Sequence, residues 1–285
     1  MTQHTEFLNR RSPSRGRALA GLAVLVAALL GTGLLLVVTV LGLGLGRFFL
    51  TDQQREPGAV GLLLTAAAVP LMMLPATLLA ARVGLRLAPW QVWSVAGRFR
   101  FDRYFRAVCA AAVVVLGVTA LQTWLRPAAG ILNADWDSAA LLAPLLLVVM
   151  VQTLAEELLF RGVLVQLVGS VIGGRLIATV IASVLVSVIF ALSHGITSPW
   201  VLTGQFLAGM LWLWLTQRTG GVETTAGAHA VWNAVLMGSL LLGARPSSGT
   251  GPMVAVEALL VDVLVVAGVY LTVARTPLYR FTRSI

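Results

Sequence analysis

Long uncharged stretches alternate with short clusters of arginine along this chain. Without a formal charge, 29 residues separate Arg17 from Arg47, 25 separate Glu56 from Arg82, 19 separate Arg106 from Arg126, and 18 separate Asp137 from Glu156. The stretch between Arg175 and Arg218 runs to 42 residues, too long for one helix, and Pro199, after Gly195 and Ser198, marks its break. A further 21 residues lie between Glu223 and Arg245, and Pro252 to Arg275 is apolar apart from two acids. A helix that crosses a bilayer needs ~20 mostly apolar residues. The pattern therefore predicts eight helices, over 18–46, 59–81, 107–125, 139–167, 175–194, 200–217, 225–243 and 253–274. The fold class is all-α, a polytopic transmembrane helical bundle. The first helix is read as an uncleaved span, because its apolar run far exceeds the ~7–15 residues of a signal peptide and no Ala-x-Ala site precedes Arg47.

Composition supports the membrane reading. Hydrophobic types make up 58% of the 285 residues and charged types 11%, against about 45–50% and 25% in soluble domains. That balance excludes a soluble globular enzyme and a disordered chain alike. All 20 basic residues are Arg. With no Lys, a Ser–Lys dyad, a Lys Schiff base and a Walker A lysine are excluded. The same bias, with so much Ala, Gly, Val and Leu, points to a GC-rich bacterial genome. Cys109 is the one cysteine and lies in an apolar run, so it reads as a small buried hydrophobe.

Orientation follows from the arginines. With the N-terminus in the cytosol, 16 Arg lie inside and 4 outside, the latter being Arg47, Arg55, Arg126 and Arg245. Both termini are then cytosolic, and the expected location is a bacterial cytoplasmic membrane, with anionic lipid at the Arg-rich face. The net charge of +9 is assigned to topology and lipid rather than to nucleic acid. Gly97–Arg106 (GRFRFDRYFR) interleaves Arg with Phe99, Phe101, Tyr104 and Phe105. Next to a span it reads as an interfacial anchor.

Ionisable groups inside spans are costly and usually functional. Three places carry them: Glu156-Glu157-Leu158-Leu159-Phe160-Arg161-Gly162, Phe190-Ala191-Leu192-Ser193-His194, and His229-Ala230-Val231-Trp232-Asn233. Helix residues four apart share a face. Glu157 therefore sits beside Arg161 as the paired, structural acid. Glu156 points about 100° away, with no partner on its own helix, and is free to face a cavity. His229 and Asn233 offer an imidazole and an amide on one face.

These EExxxR, FxxxH and HxxxN motifs, in order and in separate spans, resemble the CPBP family of CAAX-prenyl-protease-type intramembrane endopeptidases, which also covers bacteriocin-processing and immunity proteins. Leu158, Phe160 and Gly162 and the turn Thr219-Gly220-Gly221 are typical neighbours. The resemblance covers residues 139–243 and implies a four-helix catalytic core there. The remaining parts are a basic tail (1–17), helices one to three with their loops (18–138), and the last span with its tail (244–285). The resemblance implies hydrolysis of a peptide bond in a membrane-associated protein or peptide. Carried over, Glu156 and His194 activate water, His229 and Asn233 hold the oxyanion, and Glu157 with Arg161 supports the site. No cofactor is then required. Zinc is the competing reading, with Glu156, His194 and His229 as its ligands. HExxH is absent, and Asn233 is a poor zinc ligand.

Depth along the helices tests this set. Glu156 lies ~17 Å from the cytosolic end of its helix, His229 ~10 Å and His194 ~28 Å. His194 is the outlier. Asp262, deep in the last span, needs a partner or water. A proton or ion path through it would make the chain a transporter. An idle scaffold or immunity protein is the third reading.

Overall fold

The computed structural model describes residues 13–45, 59–125, 139–173, 175–195, 198–242 and 251–273. They form eight long helices: α1 (Arg15–Gly42), α2 (Ala59–Leu85), α3 (Phe101–Leu125), α4 (Leu142–Ile172), α5 (Arg175–Ser193), α6 (Pro199–Thr219), α7 (Val222–Leu241) and α8 (Pro252–Val273). A single 3-10 turn, Pro89–Gln91, lies between α2 and α3. Among the described residues the one strand-like pairing is a bridge between Ser94 and Gly221. Residues 1–12 of the expected basic tail, the outer Arg47, Arg55, Arg126 and Arg245, and the last three arginines lie outside the described residues, while Arg15 and Arg17 belong to the first turn of α1. Cys109, expected to be buried, is exposed on α3.

Five helices, α1, α2, α3, α4 and α8, are long and apolar enough to cross a membrane. The apolar part of α5, Ile177–Ser193, is shorter, and α6 and α7 do not meet the measure of length and composition. For α7 the cause is its position. Every residue from Val222 to Ala230 is buried, because α7 packs against α3 and α4, with α6 and α8 also in contact. A helix enclosed by protein needs no lipid-compatible surface, so it can carry Glu223, His229 and Asn233. The chain is a multi-pass helical membrane protein.

Two apolar clusters flank α7. One joins α1, α2, α4 and α5 through Leu25, Ala80, Leu158, Leu167, Val186 and Phe190. The other joins α3, α6, α7 and α8 through Ala107, Ala111, Trp212, Ala228, Val265 and Val269. Small residues permit the closest approaches. A Cβ on Gly227 would lie 2.6 Å from the Tyr104 carbonyl oxygen, so only glycine allows α7 to lie so near α3. Gly220, at φ +71°, ends α6 in the left-handed conformation that glycine adopts without penalty.

The helix α3 begins at Phe101 rather than at 107, because its first turns are held by α7. The segment before it is pinned to the α6–α7 turn: Val222 N–H donates to the Trp93 carbonyl and Val95 N–H to the Gly220 carbonyl, both at 2.9 Å. Arg100 forms a buried ion pair with Glu223 and donates from Nη1 to the Thr219 carbonyl at 3.1 Å. Arg103 Nη1 donates to the same carbonyl at 3.3 Å. The segment expected as an interfacial anchor thus divides. Arg100, Arg103 and Tyr104 turn inward, and Phe101 and Phe105 stay exposed.

Candidate active site

The two acids sit where α4 leaves α-helical geometry. Leu142–Glu157 is α-helical and Leu158–Leu164 is a π-helix, a wider winding that recurs at functional sites. Glu157 is fully buried. Its Oε1 accepts from Arg161 Nη1 at 3.1 Å, the expected pairing one turn apart. Arg161 is buried too, and its guanidinium carbon stands 4.0 Å from the centre of the Phe190 ring. That contact adds cation–π attraction to the ion pair.

Helix α7 brings His229 between the acids. Its Nδ1 lies 2.9 Å from Glu157 Oε1, and its Nε2 lies 3.8 Å from Glu156 Oε2. Glu157 is therefore more than the structural partner of Arg161, because it also fixes the imidazole. A carboxylate only accepts, so Nδ1 carries the proton of that bond. The Glu156 side chain keeps some exposure, 12% against 0% for Glu157. It does have a partner on its own helix, contrary to the expectation from spacing. Gln152, one turn earlier, donates Nε2–H to Glu156 Oε1 at 3.1 Å. This leaves Oε2 directed at His229. Asn233 lies one turn beyond His229 and is 9% exposed.

His194 stands apart from this group. It follows the end of α5 and is exposed. Its Nδ1 donates to the Phe190 carbonyl at 2.8 Å, and its ring meets Phe190 edge-on at 4.7 Å. Phe190 in turn packs on Phe160, with centroids 5.2 Å apart, and under Arg161. The link from His194 to the glutamates therefore runs through an aromatic side chain. Glu156 and His229 come together, while the contacts of His194 are with Phe190.

Zinc would take three protein ligands and a water. Among the described residues no group of three or more His, Cys, Asp or Glu is placed to hold a metal ion. Glu157 occupies one nitrogen of His229, and His194 is turned to Phe190. Glu156, His194 and His229 as placed do not fit a zinc site.

Other contacts were not legible as motifs. The Trp212 ring lies 5.8 Å from that of His229, tilted by 35°. Its indole N–H donates to Asp262 Oδ1 at 3.2 Å. Asp262, for which the sequence offered no partner, is thus engaged from α6. Gln152 had a usable signal, its four-residue spacing from Glu156. Trp212 and Asp262, on different helices, had none.

A polytopic helical bundle with a buried carboxylate–imidazole–carboxylate group defines the class of this protein. Residues 138–235 match a family described as type II CAAX prenyl endopeptidase Rce1-like, so the chain carries an Rce1-like segment that coincides with the site. The Bacillus subtilis (strain 168) "Uncharacterized protein YyaK" is 38% identical over 98 residues, which is 34% of this chain and 33% of that protein. The chain thus spans about a third of the length of the curated relative it matches. No solved structure matches it.

Proposed function

We propose that this protein is an intramembrane endopeptidase that hydrolyses a peptide bond of a membrane-associated protein or peptide with water activated by Glu156. One observation carries the reading. His229 directs one ring nitrogen to each acid of the pair, at 2.9 Å to the sealed Glu157 and at 3.8 Å to the more accessible Glu156. The second distance is too long for a hydrogen bond and suits a bridging water.

The charges support the assignment. Glu156, Glu157 and Arg161 sum to −1, and a doubly protonated His229 brings the buried group to zero. A net charge in low dielectric is costly. The imidazolium then presents Nε2–H to the reacting oxygen. Glu156 takes a proton from water as the oxygen attacks the carbonyl carbon. His229 Nε2–H and the Asn233 amide donate to the oxyanion, each worth ~3–4 kcal/mol in such sites. Protonated Glu156 returns its proton to the leaving amine as the C–N bond breaks, so water and peptide bond give one acid and one amine. His194, held to Phe190, takes no proton in this scheme. No metal takes part. Anionic lipid meets the Arg-rich cytosolic face, and nucleic acid is not a partner.

The test uses proteoliposomes holding wild type or Glu156→Gln, incubated with a solubilised membrane-protein fraction. New protein N-termini are counted by mass spectrometry. Termini generated by wild type and lost in Glu156→Gln are expected, with both proteins equally folded. Equal cleavage by the variant overturns the role of Glu156, and no cleavage by wild type overturns the endopeptidase reading.

A further inference from the structure

The Rce1-like match ends at residue 235, yet α8 beyond it reaches the site. Asp262 is 8% exposed, in the second apolar cluster among Val261, Val265 and Val266. An acid buried among valines is unfavourable unless its contact has a use. Its recorded hydrogen bond comes from Trp212 Nε1 at 3.2 Å. Trp212 is 5% exposed and lies beside the His229 ring, with centroids 5.8 Å apart. That separation is within the range of aromatic contact. Glu157 holds His229 by Nδ1 while Nε2 stands 3.8 Å from Glu156, and a ring held at one edge can still rock about that bond. A large flat neighbour limits that motion only if it is itself fixed. An indole in an apolar cluster has several packing orientations, and the bond to Asp262 selects one of them.

We propose that Asp262 and Trp212 form a positioning device for His229, by which α8 becomes part of the working site. The inference rests on the proposed role of His229, but its physical content is separate: removing the carboxylate on α8 moves a ring on α7 through a ring on α6. Asp262 does not touch the reacting atoms. It acts through the hydrogen bond, so Asn, which keeps an acceptor oxygen, should replace it and Leu should not. Trp212→Phe, which keeps a ring and loses the N–H, should resemble Asp262→Leu. Both residues act through one contact, so the double variant should be no worse than the more damaging single one.

The experiment uses the full chain in detergent micelles, with 15N-indole tryptophan and 13C-imidazole histidine. The chain has 3 His and 8 Trp, so each signal is assigned by its loss in His229→Gln or Trp212→Phe. Asp262→Leu should shift the Trp212 indole signal upfield and also move or broaden the His229 ring signal. Asp262→Asn should leave the His229 signal near its wild-type position. If Asp262→Leu fails to fold, Trp212→Phe supplies the same readout at His229. A His229 signal unmoved in every folded variant overturns the inference, whether or not the chain cleaves peptides. In turnover of a fluorogenic peptide built on a cleavage site found in proteoliposomes, Asp262→Leu should lower kcat ~10-fold with KM within about twofold, and Asn should restore it. Additive losses in the double variant, or equal losses for Asn and Leu, overturn it as well. Loss of cleavage in wild type would instead fall on the endopeptidase reading, leaving the ring signals to decide this one.

Discussion

Glu157 holds two groups at once, and the two tasks can be separated by mutation. In Glu157→Ala, Arg161 keeps its aromatic contact with Phe190 at 4.0 Å but loses the carboxylate at 3.1 Å. A buried charge stripped of its partner costs about 3–5 kcal/mol, and a cation–π contact returns ~2 kcal/mol at most and is already present in the wild type. Glu157→Ala should therefore lose about 3–5 kcal/mol of stability. Adding Arg161→Met removes the stranded charge and fills the space with an apolar chain, and should recover more than half of that loss. Activity should not follow, because His229 Nδ1 remains without its carboxylate. Both variants should turn over ~100-fold or more slowly than wild type. Unfolding by SDS in mixed micelles, followed by helical ellipticity, gives the stabilities. The fluorogenic peptide gives the rates. Recovery of rate together with stability in the double variant would refute the claim that Glu157 orients His229. A loss below about 1 kcal/mol in Glu157→Ala would refute the burial argument itself.

Other expectations follow from the same geometry. Asn233→Ala should lower kcat by ~100- to 1,000-fold with KM nearly unchanged, as for loss of one oxyanion donor. A proportionate rise in KM would assign Asn233 to substrate binding. Exhaustive chelation should leave turnover intact and elemental analysis should find no stoichiometric zinc, while one tightly held zinc per chain, needed for activity, would sink the glutamate mechanism. Gly227→Val should force α3 from α7 and cost about 1–3 kcal/mol, since even its Cβ would meet the Tyr104 carbonyl at 2.6 Å. Both termini should be cytosolic in tag-accessibility mapping, and a C-terminus on the outer side would require an odd number of spans.

The helices were legible because hydrophobic runs and charge breaks leave few alternatives in a membrane chain. Their ends were less so. The start of α3 at Phe101 depends on Arg100 finding Glu223, 123 residues away, and nothing local announces such a pair. The low hydropathy of α7 likewise has meaning only once its neighbours surround it. Within the site, pairings four residues apart on one helix were readable, as for Glu157 with Arg161. The spacing did not foresee that Glu157 would also receive His229, because that requires the relative rotation of α4 and α7. The bond from Trp212 to Asp262 spans 50 residues and two helices, and only their packing reveals it.

The π-helical stretch Leu158–Leu164 makes α4 sensitive to its winding in a way that its neighbours are not. Each α-helical residue advances the phase of a helix by about 100°. Winding these same seven residues as ordinary α-helix would add about one residue's rotation. The Glu pair would then rotate about a third of a turn relative to Leu167, which packs against Gly21 and Gly84 at the α1–α2 contact. The helix would still cross the membrane, with unchanged hydropathy, but the acids and the packing face could not both keep their directions. The wider winding thus works as a phase adjuster, matching the face that carries the acids to a packing face of a different angular origin. Chains of this architecture that wind this stretch as ordinary α-helix should carry one residue fewer between the acids and the position of Leu167.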